Sequence, residues 1–201
     1  MMKLYYSPGA CSLASHIVLA ESGADYAIER ADIRAKKTES GADFAAISPR
    51  GAVPVLVLAD GEVLTEGVAI MQYVADSATP GKLPAPGTLA RARLQEALNF
   101  ISTEVHKTYS PFFRGLEGAA REAQVALLEG RLALVEARLG DGRAFLLGEE
   151  FTPADAYLFT VTNWSKGLGH DLSAFPKLEA LRARVAARPA VQAAMKAEGL
   201  I

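Results

Sequence analysis

The residues from Thr79 to Thr88 read TPGKLPAPGT, with three prolines and two glycines in ten positions. Each proline lacks an amide donor and fixes its own φ, so neither a helix nor a strand ladder runs through such a stretch. The patterns on its two sides differ. Residues 1–81 alternate short apolar runs with helical periodicity, whereas residues 87–201 read as helical almost throughout. The chain therefore divides into two expected domains, 1–81 of α/β type and 87–201 of all-α type.

Within the first domain, Lys3 to Tyr6 reads as a short strand ended by Pro8-Gly9. From Ser12 to Ser22, Leu13, Ile17 and Ala20 recur at helical spacing, and Gly23 suits a helix stop. Tyr26 to Asp32 reads as a second strand, followed by the polar loop RAKKTES and a short helix around residues 41–47. Val55 to Leu58 is a continuous apolar run, hence a buried strand. Asp60-Gly61 marks a hairpin turn and Glu62 to Leu64 its return. Glu66 to Ser77 turns helical, with Ile70, Tyr73 and Val74 on one face. The order β-α-β-α-β-β-α predicts a small α/β unit with a mixed sheet.

In the second domain, Leu94, Leu98, Ile101, Val105, Thr108 and Phe112 alternate spacings of four and three, and Val125 to Leu139 is rich in Ala, Leu and Glu. FTPADAYLF opens another helix: Thr152 is its expected N-cap, Pro153 takes the favoured first position, and Asp155 completes a capping box. Pro176 and Pro189 are expected to open the last two helices.

The totals exclude several functions. With a formal net charge of −2 and no basic stripe, the chain lacks the clustered cations that bind nucleic acid. No apolar run approaches the roughly 18 residues of a membrane span. One Cys and three scattered His (His16, His106, His170) form no metal-ligand spacing, so no metal is expected. A lone cysteine and an N-terminus without a signal-peptide pattern point to a reducing, cytoplasmic setting.

Three places hold chemistry. Cys11 stands just before the first helical turn, where free N–H groups and the helix dipole favour a thiolate; the plain alternative is a small apolar residue packed under the sheet. In GAVPVL, a cis Val53–Pro54 bond would turn Val53 outward to offer its N–H and C=O to a peptide ligand, or Pro54 merely starts a strand. In LTEGVAI, Glu66-Gly67 opens a helix: its N–H groups suit a carboxylate and the Glu66 side chain an amine, or Glu66 simply complements the helix dipole. One cysteine permits no internal dithiol cycle, so thiol chemistry needs an external partner, and glutathione is the abundant one in a reducing cell. On the long helix, Asn99, Thr103, His106 and Ser110 form an uncharged polar stripe, with His106 able to donate a hydrogen bond or act as a base near neutral pH. His16, one turn past Cys11, is a rival partner for the thiol.

Taken in order, YYSPGACSL, GAVPVL, LTEGVAIMQYVAD, the Pro-rich linker and FTPADAYLF resemble a cytosolic glutathione S-transferase over the whole chain. The cysteine at the strand–helix junction and NFISTEVHK resemble the bacterial beta class. The resemblance implies a thioredoxin-like N-terminal domain holding glutathione, followed by an all-helical C-terminal domain supplying most of the electrophile site, in a homodimer. It implies that Cys11 contacts the glutathione sulfur and can form a mixed disulfide with it. Val53 before Pro54 would give backbone contacts, Glu66 and Gly67 would hold the γ-glutamyl end, and Lys36 would approach the glycyl carboxylate with Lys37 close by. Asn99, Thr103, Glu104, Val105 and His106 would line the site, with Glu104 acting across the dimer interface. Asp155 would serve folding. Gly67 departs from the serine common outside this class and omits one hydroxyl contact. The expected reaction joins the glutathione thiol to a small hydrophobic electrophile, often displacing halide, with Phe112, Phe113, Tyr157 and Trp164 as candidate walls. Glutaredoxin-like disulfide exchange through Cys11, dehalogenation or isomerisation, and non-catalytic carriage of a hydrophobic ligand are the alternatives.

Overall fold

The structure is a computed structural model describing all 201 residues. Two compact units emerge, one of residues 1–83 together with 187–201, the other of residues 84–186.

The first unit is built on a five-stranded mixed sheet of β1 (Met2–Tyr6), β2 (Tyr26–Asp32), β3 (Lys37–Thr38), β4 (Val55–Val57) and β5 (Val63–Thr65), in the order β3-β2-β1-β4-β5. β1 pairs parallel with β2 and antiparallel with β4, while β4–β5 is the antiparallel hairpin expected from Asp60-Gly61. Successive side chains of a strand face opposite sides. Tyr5 meets Phe44, Ala31 and Val55 under the short helix α2 (Phe44–Ile47). Tyr6 lies on the other side against His16 of α1 (Ser12–Ser22), which also packs on α3 (Gly67–Ala78). Gly23 ends α1 at φ 67, a left-handed turn that glycine adopts without a Cβ clash. β3, too short for periodicity to register, was not expected. Tyr73, expected on the inner face of α3 with Ile70 and Val74, is 42% exposed while those two are buried.

The last helix, α10 (Pro189–Ala197), packs on α1. Arg188 donates to both carboxylate oxygens of Glu21, at 2.6 and 2.8 Å. The fully buried Glu198 accepts from the Gly9 amide at 3.0 Å and pairs with His16 Nδ1 at 2.9 Å. The Pro-rich break predicts that the whole stretch from 87 to 201 belongs to the helical half. Residues 187–201 cluster instead with the sheet unit, because these polar bonds and the apolar packing of α10 are made there.

The second unit contains α4 (Leu89–Phe100), α5 (Lys107–Tyr109), α6 (Gly118–Arg138), α7 (Pro153–Thr162), α8 (Trp164–Leu168) and α9 (Pro176–Ala186). A π-helical segment, Ile101–His106, joins α4 to α5, and a 3₁₀ turn, Ser110–Arg114, follows. All ten residues of α7 are buried, as befits a helix apolar on every side. Its two threonines satisfy themselves: Thr160 donates to the Ala156 carbonyl and Thr162 to that of Leu158. Asp155 forms the expected capping box with Thr152 and also accepts from the Leu146 amide at 2.7 Å. Burial pushes its carboxyl up, against those hydrogen bonds, which pull it down. The apolar series from Leu94 to Phe112 is buried throughout.

Candidate active site

In the sheet unit, Cys11, Val53, Pro54, Glu66 and Gly67 come together from three separate segments. Cys11 is the N-cap residue of α1, half-buried, and makes no cap hydrogen bond with its side chain. Its thiol instead donates to the Val53 carbonyl at 3.3 Å. The Val53–Pro54 bond is cis. The β4–β5 pairing of Val55 with Thr65 brings Pro54 beside the start of α3. A Cβ added at Gly67 would lie 3.5 Å from Pro54 Cγ and 3.7 Å from Ser15 Oγ, so backbone, proline and α1 are in near contact there. The Ser15 hydroxyl is buried and has no hydrogen-bond partner.

Two non-glycine residues of the chain have positive φ, Lys36 at 55 and Glu66 at 66. Glu66, with ψ 109, is the N-cap of α3. A side-chain-bearing residue in such a conformation costs about 1–3 kcal/mol and persists only where surrounding structure enforces it, most often at functional sites. Both residues are exposed. Lys36 is held through its carbonyl, which accepts from the Phe44 amide at 2.9 Å; Lys37 lies next to it in β3. Glu66 pairs with Arg50, a partner that nothing in the sequence indicated.

His16, the rival partner for the thiol, is turned away. Its Nδ1 is engaged with Glu198, and its ring packs against Tyr6 and Tyr26. No periodicity could reveal this pair, whose members lie 182 positions apart in the chain.

In the helical unit, His106 is half-buried, with Nδ1 at 2.7 Å from the Tyr157 hydroxyl and its ring 4.9 Å from that of Trp164. Burial, helped by the neighbouring Lys107 charge, lowers its pKa to about 4. The imidazole is therefore neutral at pH 7. That corrects the expectation of a base working near neutral pH, because a group of so low a pKa takes up a proton poorly there. The neutral ring either accepts from the Tyr157 hydroxyl at Nδ1, with its proton on Nε2 free to donate, or donates to that hydroxyl from Nδ1 and presents Nε2 as an acceptor. The polar stripe is divided: Asn99 and Thr103 are exposed, while His106 and Ser110 are half-buried. Val105 is wholly buried, a core residue. Glu104, expected to act across a dimer interface, pairs within its own chain with Arg131 Nε at 2.9 Å. Of the aromatic candidates, Phe112 is buried under Arg121, whereas Phe113 is 56% exposed with its ring edge-on to Trp164. No group of three or more His, Cys, Asp or Glu side chains is placed to hold a metal ion.

A thioredoxin-like sheet unit with a thiol facing the residue before a cis-proline, followed by a helical unit, defines the fold class. Known proteins narrow this. Residues 9–77 match the glutathione S-transferase N-terminal domain and residues 99–189 the C-terminal domain. Glutathione S-transferase GstA of Escherichia coli O157:H7 is 47% identical, over 99% of this chain and 100% of that protein. Among solved structures, a sphingomonad glutathione S-transferase complexed with glutathione superposes with TM-score 0.90 at 43% identity, over 99% of this chain and all of the other. A bacterial beta class enzyme of Sphingomonas chungbukensis gives 0.93 at 43% identity with the same coverage. The chain belongs to the glutathione S-transferase family, and its similarities run to the beta class. It is a glutathione-dependent transferase.

Proposed function

We propose that the sheet unit holds glutathione through Cys11, Lys36, Val53, Pro54, Glu66 and Gly67, and that the helical unit meets the electrophile beside His106, Tyr157, Trp164 and Phe113. The observation that carries this reading is the pair of positive-φ residues. Lys36 and Glu66 alone among non-glycines take that conformation, and they are the two charged side chains assigned to the ends of glutathione. The exposed Glu66 carboxylate suits the α-amino group, and the amides opening α3 suit the α-carboxylate. Gly67 leaves room there.

The reaction is thiol conjugation. The glutathione sulfur gives its proton to solvent and forms a bond to an electrophilic carbon, and a leaving group such as halide departs with its electron pair. Cys11 serves as a hydrogen-bond donor. Its S–H already points at a carbonyl oxygen, where an anion would be repelled. From the same place it can donate to the glutathione sulfur as negative charge develops on it. On the helical unit, neutral His106 with Tyr157 donating to Nδ1 would offer Nε2–H as a hydrogen-bond donor, and Asn99, Thr103, Glu104 and Val105 supply the surrounding helix. Leu127 and Leu134, seven apart on α6 and both exposed, support a homodimer. No helix of the structure is long and apolar enough to cross a membrane, and a cytoplasmic setting fits the lone cysteine.

The test compares the native chain with Cys11→Ala for conjugation of glutathione to an aryl halide, and for intact mass after incubation with oxidised glutathione. Conjugation by both proteins is expected, slower in the variant. Turnover by neither, with no adduct on the native chain, would overturn the reading in favour of a ligand carrier. A quantitative adduct on the native chain without conjugation would place disulfide exchange first.

A further inference from the structure

The long helix from Leu89 changes character where the candidate site begins. It is α-helical to Phe100, π-helical from Ile101 to His106, α-helical again over Lys107–Tyr109 and 3₁₀ thereafter. A π turn widens the backbone ring from i→i+4 to i→i+5 and carries a cost, so such turns concentrate at functional sites. Neither Gly nor Pro occurs from Leu89 to Ser110, so the usual breakers are absent. Three hydroxyls take their place, each donating to the carbonyl four residues earlier. Thr103 bonds Asn99 at 3.0 Å, Ser110 bonds His106 at 3.2 Å, and Thr108 bonds Glu104. Back-bonding of this kind competes with the helix ladder and bends it.

Thr108 differs from the other two. It is only 6% exposed, whereas Thr103 is exposed and Ser110 half-buried. It grips a carbonyl inside the π segment, and its own carbonyl accepts from Gln124 Nε2 of α6 at 2.7 Å. It is thus fixed from both sides. His106 ends the π segment, and its two ring neighbours, Tyr157 and Trp164, stand on or next to the buried helix α7. A helix turns about 100° per residue, so restoring a regular α turn would swing the His106 ring away from that fixed pair.

We propose that Thr108 is the positioning residue for His106, its hydroxyl holding the widened turn that presents the imidazole to Tyr157 and Trp164. The catalytic side of this inference rests on the placing of His106 in the site; the structural side does not. Trp164 is the only tryptophan in the chain, and its ring touches His106, Tyr109 and Phe113, so its fluorescence reports the turn directly.

The experiment compares Thr108→Val, Thr108→Ser and Gln124→Met with the native protein. It follows Trp164 emission, the titration of the His106 ring by NMR, and kcat and KM for conjugation of an aryl halide. Thr108→Val is expected to shift Trp164 emission and to return His106 from about 4 toward its ordinary range near 6.5. It should lower kcat by roughly ten- to a hundredfold, up to the scale of loss for a group misplaced by about 1 Å, with KM for glutathione nearly unchanged. Thr108→Ser should restore all three readouts. Gln124→Met, which removes only the bond to the Thr108 carbonyl, should move them less and in the same direction, and it carries the test if the valine variant does not fold. Native emission and native His106 titration in Thr108→Val would overturn the proposal, as would a serine variant that behaves like the valine one. Moved spectra with unchanged kcat, matched by unchanged kcat in His106→Asn, would uphold the positioning and refute instead the role given to His106.

Discussion

Acid should weaken this protein through His106. The ring takes up a proton at about 4 in the folded chain, because burial strips its charged form of water, against 6.5 when unfolded. Between those values the unfolded chain binds more protons than the folded one, so stability falls as pH drops through 6.5 and levels off below 4. Integrating over the two pKa values, the loss from pH 7 to pH 5 is about 2 kcal/mol. For a chain of this length that is a fall of about 4–8 °C in melting temperature. Glu29, held at about 2 by hydrogen bonds led by that from Ser40, and Asp141, held at about 2 by Arg143, stay charged in the folded chain and add only a small part of the loss, from the first protonation of their unfolded forms near pH 5. The assay is thermal melting of the native chain and of His106→Asn at pH 7 and pH 5, at one fixed protein concentration. The variant will be less stable at both pH values, since it loses ring packing. What matters is the difference between pH values, which should shrink by most of those degrees. An equal acid-induced drop in both proteins would refute the reasoning.

Two further outcomes follow from the sheet unit. Glu198→Ala removes the carboxylate that accepts from the Gly9 amide and engages the buried His16 ring, and losing the partner of a buried polar group costs about 1–3 kcal/mol; calorimetry should show a fall in melting temperature. Because Gly9 sits in the turn that carries Cys11, KM for glutathione should rise as well, and Glu198→Gln, which keeps one acceptor, should lose less of both. Gly67→Ser adds a hydroxyl at the opening of α3 where a Cβ fits without clash, so glutathione KM is expected to fall severalfold, on the scale of roughly 1 kcal/mol for one added hydrogen bond; steady-state kinetics at fixed aryl halide would read it, and an unchanged or higher KM would count against Gly67 lying at the γ-glutamyl end.

Local rules made much of this molecule legible. Hydrophobic periodicity and Gly23 place α1 at Ser12–Ser22, Asp60-Gly61 places the hairpin, and Thr152-Pro153 with Asp155 places the start of α7, because each signal acts within a turn or two of its own residues. The ordered motifs likewise single out Cys11, Val53, Glu66 and Gly67. What local rules could not contain was decided by partners far along the chain. Only the fold sets the Cys11 thiol on the Val53 carbonyl, turns His16 to Glu198 and pairs Glu104 with Arg131. Only burial depth could say that His106 is neutral. The π turn shows the same limit: the hydroxyls that hold it are ordinary helix residues in the sequence, and they widen the turn because Gln124, Tyr157 and Trp164 reward that register. The sequence by itself determined which segments become helices and strands and which residues are candidates for the chemistry, since periodicity, capping and motif order can be read along the chain. The tertiary structure decided their protonation, their orientation and the home of the last helix, since those depend on desolvation and on contacts between residues distant in the chain.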